Sequence, residues 1–378
     1  MKILFDYQAF YMQNFGGVSN GIVQTLSNMS SDVKIEIAIK ESNNEHLRKS
    51  GLATFSPAIN TSDHFITDCP FRGKQRLYDF WTAIHPQKTS LGRNQAYAIE
   101  RIVAGDFDVF HPTFFDGYFL PYLNGRPFVL TIHDMIPEIL RIKDGQIEKK
   151  RKLVDRATHI VAVSENTKVD IINLLNVPES KITVIYWGAP KQIVPDVSPL
   201  IKGRYILFVG LRASYKYFIP TVRSLLPVID RHPDINIVCT GPDFSNSERD
   251  FFSRHQITER MIHIRPSDVE MVNLYSNALC FVYPSLYEGF GIPILEAYQA
   301  NCPVILNNKS CFPEIAKDAA LFFDSDDVSS SLEEVMESFL KMSKGEKEIL
   351  LKKQRCRLDF FSWKKTAMQY QELYESLL

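Results

Sequence analysis

Two glutamates flank a glycine-rich turn in the segment FVYPSLYEGFGIPILEAYQA, residues 281–300. The residue types predict a strand, a turn and then a helix, in which Gly289 and Gly291 let the backbone approach a ligand. The start of that helix offers unpaired N–H groups to an anion such as phosphate. Glu288 and Glu296 lie eight residues apart, and carboxylates accept hydrogen bonds from sugar hydroxyls. The alternative is that Glu296 is only a favourable first-turn acid and Glu288 a solvated loop residue.

A second segment, ILFVGLRASYKYF at residues 206–218, also predicts a strand, a glycine turn and the start of a helix. Arg212 and Lys216 place two cations at the positive end of the predicted helix, which costs about 0.3 to 1 kcal/mol each unless an anion is present. We therefore infer a negative partner; the alternative is that both long side chains extend into water. The G-x-x-x-x-G-K-[ST] and G-x-G-x-x-G patterns are missing, which argues against a P-loop ATPase or a dinucleotide oxidoreductase.

Two weaker signals lie in the first half of the chain. Gly16 and Gly17 precede a predicted helix, so this turn could bring backbone amides towards a ligand, although such a pair is more often just a turn. His133 and Asp134 directly follow the apolar run PFVLTI. An imidazole at a strand end could hydrogen-bond a sugar hydroxyl or a phosphate, or it could be a structural hydrogen-bonding group.

Two acidic runs, Asp106–Asp108 and Asp324–Asp327, resemble metal-binding carboxylate clusters. The first leads into a strand and the second into a serine-rich loop before a helix. Turn and capping roles are therefore favoured over a metal site for both.

The elements that must position these residues form two similar series. Short, continuously apolar runs are typical of parallel strands covered by helices on both faces. They occur at 2–6, 34–39, 108–112, 127–132, 159–164 and 182–186, and again as RYILFVG, INIVCTG, MIHIR, LCFVYPS, PVILN and ALFFD. The proline-rich segment 188–203 separates the two series. The sequence predicts an α/β protein of two doubly wound units, followed by a final helix with an apolar stripe at Trp363, Ala367, Tyr370, Tyr374 and Leu377.

Composition excludes several function classes. The 378 residues carry 43 Lys and Arg against 44 Asp and Glu, which excludes a strongly basic nucleic-acid binder. No apolar run is long enough to span a bilayer and the start is not a signal peptide, so we expect a cytoplasmic protein. The six cysteines form no C-x-x-C, which makes a disulfide scaffold improbable.

Several motifs resemble, in order, those of the retaining GT-B glycosyltransferases of family 4, which include many bacterial polysaccharide and lipopolysaccharide transferases. YPSLYEGFGIPILEA is similar to the E-x7-E signature of that family, and TIHDMIPE, AVSENTK, VGLRASYK, SCFPEIAKDAALFFD and FSWKKTA fall in the expected order. The resemblance implies two Rossmann-like domains facing across a cleft. It places an acceptor-binding domain at 1–190, a nucleotide-sugar domain at 191–355, and a C-terminal helix at 356–378 that crosses back to the first domain.

The resemblance also implies donor-binding roles in the second domain. Arg212 and Lys216 would grip the donor diphosphate, and Glu296 would hold the ribose diol. Glu288 would contact hydroxyls of the donor sugar. The backbone of the following turn would lie near the sugar and the diphosphate, at Gly289, Phe290, Gly291 and Ile292. The catalytic residues that the resemblance implies in this domain are Arg212, Lys216 and Glu288.

In the first domain, His133 would be a catalytic residue beside the donor sugar. Gly16 and Gly17 would line the acceptor side of the diphosphate. Two departures from the family pattern bear on donor geometry: Tyr217 stands where an Asn usually follows the Lys, and Ala300-Asn301 replaces a small-residue and Gly pair.

The implied reaction is retaining transfer of a hexose from a nucleoside-diphosphate sugar, such as GDP-mannose or a UDP-sugar, to a saccharide or lipid-linked acceptor in surface polysaccharide synthesis. It needs no cofactor and no metal. Alternatives are a phosphorylase or nucleotide-sugar epimerase of the same fold, and a non-catalytic nucleotide-sugar-binding subunit. The basic runs at 149–152 and 72–76 suit contact with anionic lipid at the inner face of the cell membrane, or are simply solvated helix faces.

Overall fold

Parallel strands form at the apolar runs of the sequence, in two separate units. The structure is a computed structural model that describes residues 1–58, 73–85, 88–142, 145–190, 198–212 and 214–378. Unit 1 comprises Met1–Val163, Thr167–Gly188 and Trp363–Leu378, and unit 2 comprises Ser164–Asn166 and Ala189–Ser362. Part of the predicted linker 188–203 and the start of the basic run 72–76 lie outside the described residues.

The described residues of unit 1 form six short parallel strands. They are β1 (Lys2–Asp6), β2 (Lys34–Ala38), β3 (Val109–His111), β4 (Val129–Ile132), β5 (His159–Ala162) and β6 (Ile182–Val184). The pairing orders are β2-β1-β3 and β4-β5-β6, and a parallel bridge between Phe110 and Phe128 connects the two three-stranded sheets. Strands β3, β4 and β5 are almost entirely buried, as expected for a sheet covered on both faces.

The helices of unit 1 lie between its strands along the chain, singly or in groups of two or three, and the last of them begins in the Ser164–Asn166 segment of unit 2. They are α1 (Gln8–Met12), α2 (Gly17–Ser27), α3 (Glu45–Ser50), α4 (Lys74–Ile84), α5 (Ser90–Ala104), α6 (Ile136–Leu140), α7 (Gln146–Arg156) and α8 (Glu165–Leu175).

Unit 2 is built on one six-stranded parallel sheet. Its strands are β7 (Arg204–Phe208), β8 (Ile235–Cys239), β9 (Met261–His263), β10 (Cys280–Tyr283), β11 (Val304–Asn307) and β12 (Leu321–Phe323), and its helices are α9 (Phe218–Arg231), α10 (Asn246–Arg254), α11 (Asp268–Asn277), α12 (Ile292–Gln299), α13 (Phe312–Ala316), α14 (Val328–Lys341) and α15 (Lys344–Leu358). The order β12-β11-β10-β7-β8-β9 changes direction between β10 and β7. In open parallel sheets, ligands bind outside the carboxyl ends of the strands at such a point.

The last helix, α16 (Trp363–Glu375), belongs to unit 1. Tyr370 and Tyr374 are buried on it, and their hydroxyls lie 3.0 Å from Thr131 Oγ1 and 2.6 Å from His111 Nδ1. Thr366 Oγ1 donates a hydrogen bond of 2.7 Å to the carbonyl of Tyr186. The predicted apolar stripe therefore packs on unit 1, and the predicted α/β class with a returning C-terminal helix is confirmed.

The described cysteines, which exclude Cys69, are all free thiols, and all but Cys356 are buried. Within the described ranges, no helix has both the length and the apolar character that a bilayer crossing requires.

Candidate active site

The loops after β7 and β10 lie at the change of strand direction in unit 2. They are joined through the backbone, because the N–H of Leu286 donates a hydrogen bond of 2.8 Å to the carbonyl of Tyr215. Residue Lys216 is on the first loop and Glu288 on the second. The sheet therefore brings two of the predicted site residues to one place.

Lys216 and Glu288 form an ion pair at this point. Lys216 Nζ lies 2.5 Å from Glu288 Oε1, and the two side chains are only 14% and 12% exposed. The ammonium also lies 5.1 Å and 5.5 Å from the ring centroids of Tyr215 and Tyr283. Burial raises the pKa of the Tyr283 phenol well above its usual range, and the neighbouring Glu288 carboxylate adds to the shift. A cation that can bind phosphate and an acid that can bind hydroxyls thus lie side by side.

Arg212 follows the same strand but has different partners. Its Nε donates to Glu248 Oε1 at 2.7 Å, and its two terminal nitrogens donate to the carbonyls of Thr240, Pro242 and Asp243 at 2.6 to 3.0 Å. The side chain is 5% exposed. In this structure Arg212 fixes the loop between β8 and α10. In the structure the carboxylate partner of Arg212 is Glu248, and that of Lys216 is Glu288.

The glycine-rich turn leads directly into α12, as predicted. Gly291 precedes the helix at φ +89°, where a Cβ would also lie 3.2 Å from both Ile294 and Phe312. The carbonyl of Gly289 accepts a 2.7 Å hydrogen bond from Ser164 Oγ, which is buried. Phe290 is buried and its ring packs edge-on against Phe361. A side chain at position 291 would therefore strain both the backbone and the packing.

Two polar residues that the sequence reading missed hold the loop after β10. Ser310 Oγ donates to the carbonyl of Glu288 at 2.7 Å and accepts from the N–H of the same residue at 3.1 Å. The fully buried Asn307 donates to the carbonyls of Pro284 and Ser285 at 3.3 and 3.2 Å. Both residues follow the apolar run of β11, so the polar positions after that strand were the signal that could have found them.

Glu296 lies in the second turn of α12. It is half-buried, and its Oε2 accepts a 3.1 Å hydrogen bond from the hydroxyl of the buried Tyr275. Burial raises the pKa of the Glu296 carboxyl. Tyr275 therefore orients the carboxylate that is predicted to hold a ribose diol.

We expect Tyr275→Phe to weaken the affinity for a nucleoside diphosphate about 5- to 30-fold, because a charge-assisted hydrogen bond contributes roughly 1 to 2 kcal/mol. Isothermal titration calorimetry measures the loss. Tyr205→Phe is the matched control, since this buried hydroxyl donates to the Leu274 carbonyl instead. Equal affinity losses in the two variants would contradict a specific role for Tyr275.

In unit 1, Gly16 and Gly17 form the predicted turn before a helix. Gly17 is the first residue of α2, and the amide of Ser19 donates to Gln13 Oε1 at 3.1 Å. A Cβ on Gly16 would lie 2.2 Å from that same oxygen. Any larger residue would therefore displace the side chain that caps α2.

His133 follows β4, as predicted, and its ring centroid lies 5.5 Å from that of Trp187. Its Nδ1 is buried, and no described residue hydrogen-bonds to it. Burial lowers the pKa of His133 to about 3, and the Lys150 ammonium contributes to this shift. The imidazole is therefore a neutral group at physiological pH. It lines a small cavity of unit 1 together with His111, Thr131, Trp187, Tyr370 and Tyr374.

The segment after His133 is held by a buried ion pair. Lys150 is fully buried, and its Nζ lies 2.9 Å from Glu138 Oε2 and 3.0 Å from the carbonyl of Asp134. The interpretation of residues 149–152 as a solvated or lipid-facing basic run is therefore wrong for Lys150. It points inwards because it shares a helix face with the buried Leu153 and Val154.

Two buried neutral histidines predict that unit 1 is labile to acid. Burial lowers the pKa of both His111 and His133 to about 3, below the unfolded value near 6.5, so the unfolded chain binds more protons below pH 6.5. Each histidine then removes about 1.4 kcal/mol of stability per pH unit, or about 2 to 3 kcal/mol together between pH 7 and 5.5. Urea unfolding across this range tests the prediction. His133→Gln should halve the slope, and an unchanged slope would contradict it.

The two acidic runs serve turns and ion pairs. Asp108 Oδ2 accepts from the amide of Lys2 at 2.7 Å, and Asp106 pairs with the ammonium of the same lysine. Asp324 Oδ1 accepts from the amide of Asp326, which itself pairs with Lys309. Over the described residues, no group of three or more His, Cys, Asp or Glu side chains is arranged to hold a metal ion.

Comparison with known families matches most of the chain. The model described as "Glycosyltransferase Family 4" matches residues 54–192, and the one described as "Glycosyl transferases group 1" matches residues 195–354. The O-antigen chain mannosyltransferase B of Escherichia coli is 28% identical over 334 residues, which cover 81% of this chain and 82% of that protein. The O-antigen chain mannosyltransferase RfbU of Salmonella typhimurium is 30% identical over 218 residues, which cover 56% of this chain but only 60% of that protein.

Solved structures share the fold over the full length. Anabaena Alr3699/HepE in complex with UDP-glucose is 14% identical, covers 100% of both chains and superposes with a TM-score of 0.73. Sucrose-phosphate synthase from Thermosynechococcus elongatus is 16% identical, covers 100% of this chain and 98% of its own, and has a TM-score of 0.72.

Proposed function

Because this chain belongs to the group 1 glycosyltransferases, whose GT-B fold it shares, we propose that it transfers a hexose from a nucleoside-diphosphate sugar to a saccharide acceptor in polysaccharide synthesis. The observation that carries the proposal is the Lys216–Glu288 pair beside a glycine turn and a helix start. These groups lie at the change of strand direction in unit 2.

Each group at this place suits one part of such a donor. The Lys216 ammonium and the amides at the start of α12 would bind the diphosphate, since both favour anions. The Glu288 carboxylate would accept hydrogen bonds from hydroxyls of the sugar, and Glu296 would accept them from the ribose diol. Arg212 would contribute indirectly, because its guanidinium holds the loop after β8. The contact of His133 with the donor sugar stays a prediction.

We propose mannose as the sugar and GDP-mannose as the donor. The support is that several relatives are named mannosyltransferases, including the MMP alpha-(1->4)-mannosyltransferase of Mycolicibacterium hassiacum, which is 22% identical over 80% of this chain. A lipid-linked saccharide is the acceptor we propose, since a relative from Xanthomonas campestris, 26% identical over 52% of this chain, is named a GDP-mannose:cellobiosyl-diphosphopolyprenol alpha-mannosyltransferase.

We further propose transfer with retention of the anomeric configuration and without a protein nucleophile. The bond from the anomeric carbon to the diphosphate oxygen breaks, and the acceptor oxygen forms the new bond on the same face of the sugar. The departing diphosphate takes the acceptor proton. The protein would then hold the donor and the acceptor in position. Lys216 and the amides at the start of α12 would neutralise the leaving diphosphate, in place of a metal ion.

A thermal-shift panel of GDP, UDP, ADP and their sugars tests donor binding, since a ligand that binds the folded protein raises its Tm. We expect GDP-mannose and GDP to give the largest shifts. Incubation with a lipid-linked acceptor in EDTA, followed by NMR of the product, then tests retention and independence from metal. Three outcomes would contradict the proposal. Consumption of inorganic phosphate would indicate a phosphorylase, and epimerisation of the donor without transfer would indicate an epimerase. Donor binding without turnover would indicate a non-catalytic subunit.

A further inference from the structure

Four side chains of unit 1 form a continuous series of hydrogen bonds beside the cavity of His133. Tyr374 Oη lies 2.6 Å from His111 Nδ1, and Tyr370 Oη lies 3.0 Å from Thr131 Oγ1. His111 Nε2 and Thr131 Oγ1, which are 3.0 Å apart, join the two pairs. All four side chains are buried and line the cavity. We call this set the α16 polar chain, because both tyrosines belong to α16.

The α16 polar chain has one proton more than its own hydrogen bonds can use. Burial lowers the pKa of His111 to about 3, so its imidazole is neutral and has one N–H. Each of the three hydroxyls also has one proton, so four protons are available for three hydrogen bonds. The described residues offer these groups no further hydrogen bond. Since His111 must donate at one nitrogen and accept at the other, the spare proton belongs to a hydroxyl.

His133 supplies the matching unpaired group. It lines the same cavity, and its buried Nδ1 has no hydrogen-bond partner among the described residues. The two histidines lie near each other, because the imidazole of His133 adds to the effect of burial on the pKa of His111. A buried polar atom without a partner costs free energy, which a bound water can remove.

The cavity suits one water molecule. The volume open to the centre of a water is about 20 Å³, and one water needs about 10 to 15 Å³ by the same measure. No described residue of the lining is acidic, so the lining does not favour a cation. Water can accept one hydrogen bond and donate another at the same time, which is what a spare hydroxyl proton and an unpaired ring nitrogen require.

We propose that a buried water in this cavity accepts the spare hydroxyl proton of the α16 polar chain and donates one of its own protons to His133 Nδ1. His133 is then held as the tautomer that has its proton on Nε2. Because Nδ1 is buried, Nε2 is the nitrogen that meets a ligand, and it does so as a hydrogen-bond donor. Only this last step rests on the proposed function: His133 would donate to an oxygen of the donor sugar and would not take the proton of the acceptor.

Two measurements on the full chain, without donor or acceptor, test the water and the tautomer. A crystal structure that resolves waters should show one at about 2.7 to 3.2 Å from His133 Nδ1. Long-range ¹H–¹⁵N correlation spectra of protein labelled with ¹⁵N-histidine should show the proton of His133 on Nε2, and the spectrum of His133→Gln identifies the signals. A proton on Nδ1, or a crystal structure without this water, would overturn the proposal.

Filling the cavity tests whether the water holds the tautomer. Thr25 of α2 lines the cavity but lies outside the α16 polar chain, and its Oγ1 donates to the carbonyl of Gly21 at 2.8 Å. Thr25→Met places a longer, flexible side chain in the cavity and should displace the water, which leaves a mixture of both His133 tautomers. Thr25→Val is the matched control, since it also removes the hydroxyl but keeps the size of the side chain. In each variant the tautomer should be single where the water is present and mixed where it is absent, and any other combination would overturn the proposal.

Two substitutions of His133 test the last step with donor and acceptor present. The amide nitrogen of glutamine reaches the position of Nε2, whereas that of asparagine reaches only the position of Nδ1. His133→Gln should keep kcat/KM within about tenfold of the unmodified protein, and His133→Asn should lower it about 30- to 1000-fold. Equal losses would overturn the role of Nε2 as a donor. If the water and the tautomer are found but the unmodified protein transfers to no acceptor, the proposed function alone fails.

Discussion

Lys216→Ala lowers kcat/KM about 30- to 1000-fold, because the loss of one charge-assisted contact in a desolvated site typically raises the barrier by roughly 2 to 4 kcal/mol. The ammonium is 14% exposed and lies between two tyrosine rings, so little water is available to replace it. Steady-state kinetics over a range of donor concentrations measure the effect. The larger part should fall on kcat, since the charge on the leaving diphosphate develops as the bond breaks.

Two controls separate this loss from a general loss of charge or of fold. Lys353→Ala removes a half-exposed lysine of unit 2 that lies 3.0 Å from Asp318, and it should leave the kinetics unchanged. In Lys216→Ala the carboxylate of Glu288 loses its partner, so Lys216→Met/Glu288→Gln shows whether the unpaired charge reduces stability. A folded Lys216→Ala protein with normal turnover and normal donor affinity would contradict the proposed site.

Lys150→Met destabilises the protein by about 3 to 5 kcal/mol, because it leaves the carboxylate of Glu138 buried without a cation. Glu138 is 4% exposed, and its Oε1 has no hydrogen-bond partner among the residues that the structure describes. Lys150→Met/Glu138→Met should recover most of the loss, since an apolar pair of similar volume suits surroundings that include Met135 and Phe115. Urea unfolding measures all three proteins.

The neighbouring lysine is the control for this prediction. Lys149 is 56% exposed and lies 3.3 Å from Asp116, so Lys149→Met should change stability by less than about 1 kcal/mol. A similar loss in both single variants would show that burial of the Lys150 pair is not the cause. If the double variant does not recover stability, the lost hydrogen bond from Lys150 to the Asp134 carbonyl matters more than the unpaired charge of Glu138.

The strands were predictable because each is a continuous apolar run, and the twelve runs correspond to the twelve strands found in the described part of the chain. The positions of Glu288 and Lys216 followed from the same reasoning, since polar residues just after parallel strands meet at one edge of the sheet. What the sequence could not separate was Arg212 from Lys216. Both follow β7 within a few residues, and only the tertiary structure pairs Arg212 with Glu248 and Lys216 with Glu288.

The inward position of Lys150 was indicated by its helix spacing, but the basic run around it favoured the opposite interpretation. It lies in a run of four basic residues, which favoured a solvated face. Its spacing of three and four residues from Leu153 and Val154 instead indicated the inward face of α7. Its acidic partner, Glu138, lies on another helix. The pairing therefore depends on packing that no local pattern records.

Ser310 restricts the residue types that its own position accepts. Its backbone φ is +54°, a conformation that β-branched residues rarely adopt, so threonine would keep the hydroxyl but strain the main chain. Glycine or alanine would lack the oxygen that orients two consecutive peptide planes at Glu288. A relative that lacks a side-chain oxygen here must hold these peptide planes by other contacts, and position 310 is therefore a marker for a different loop conformation at Glu288.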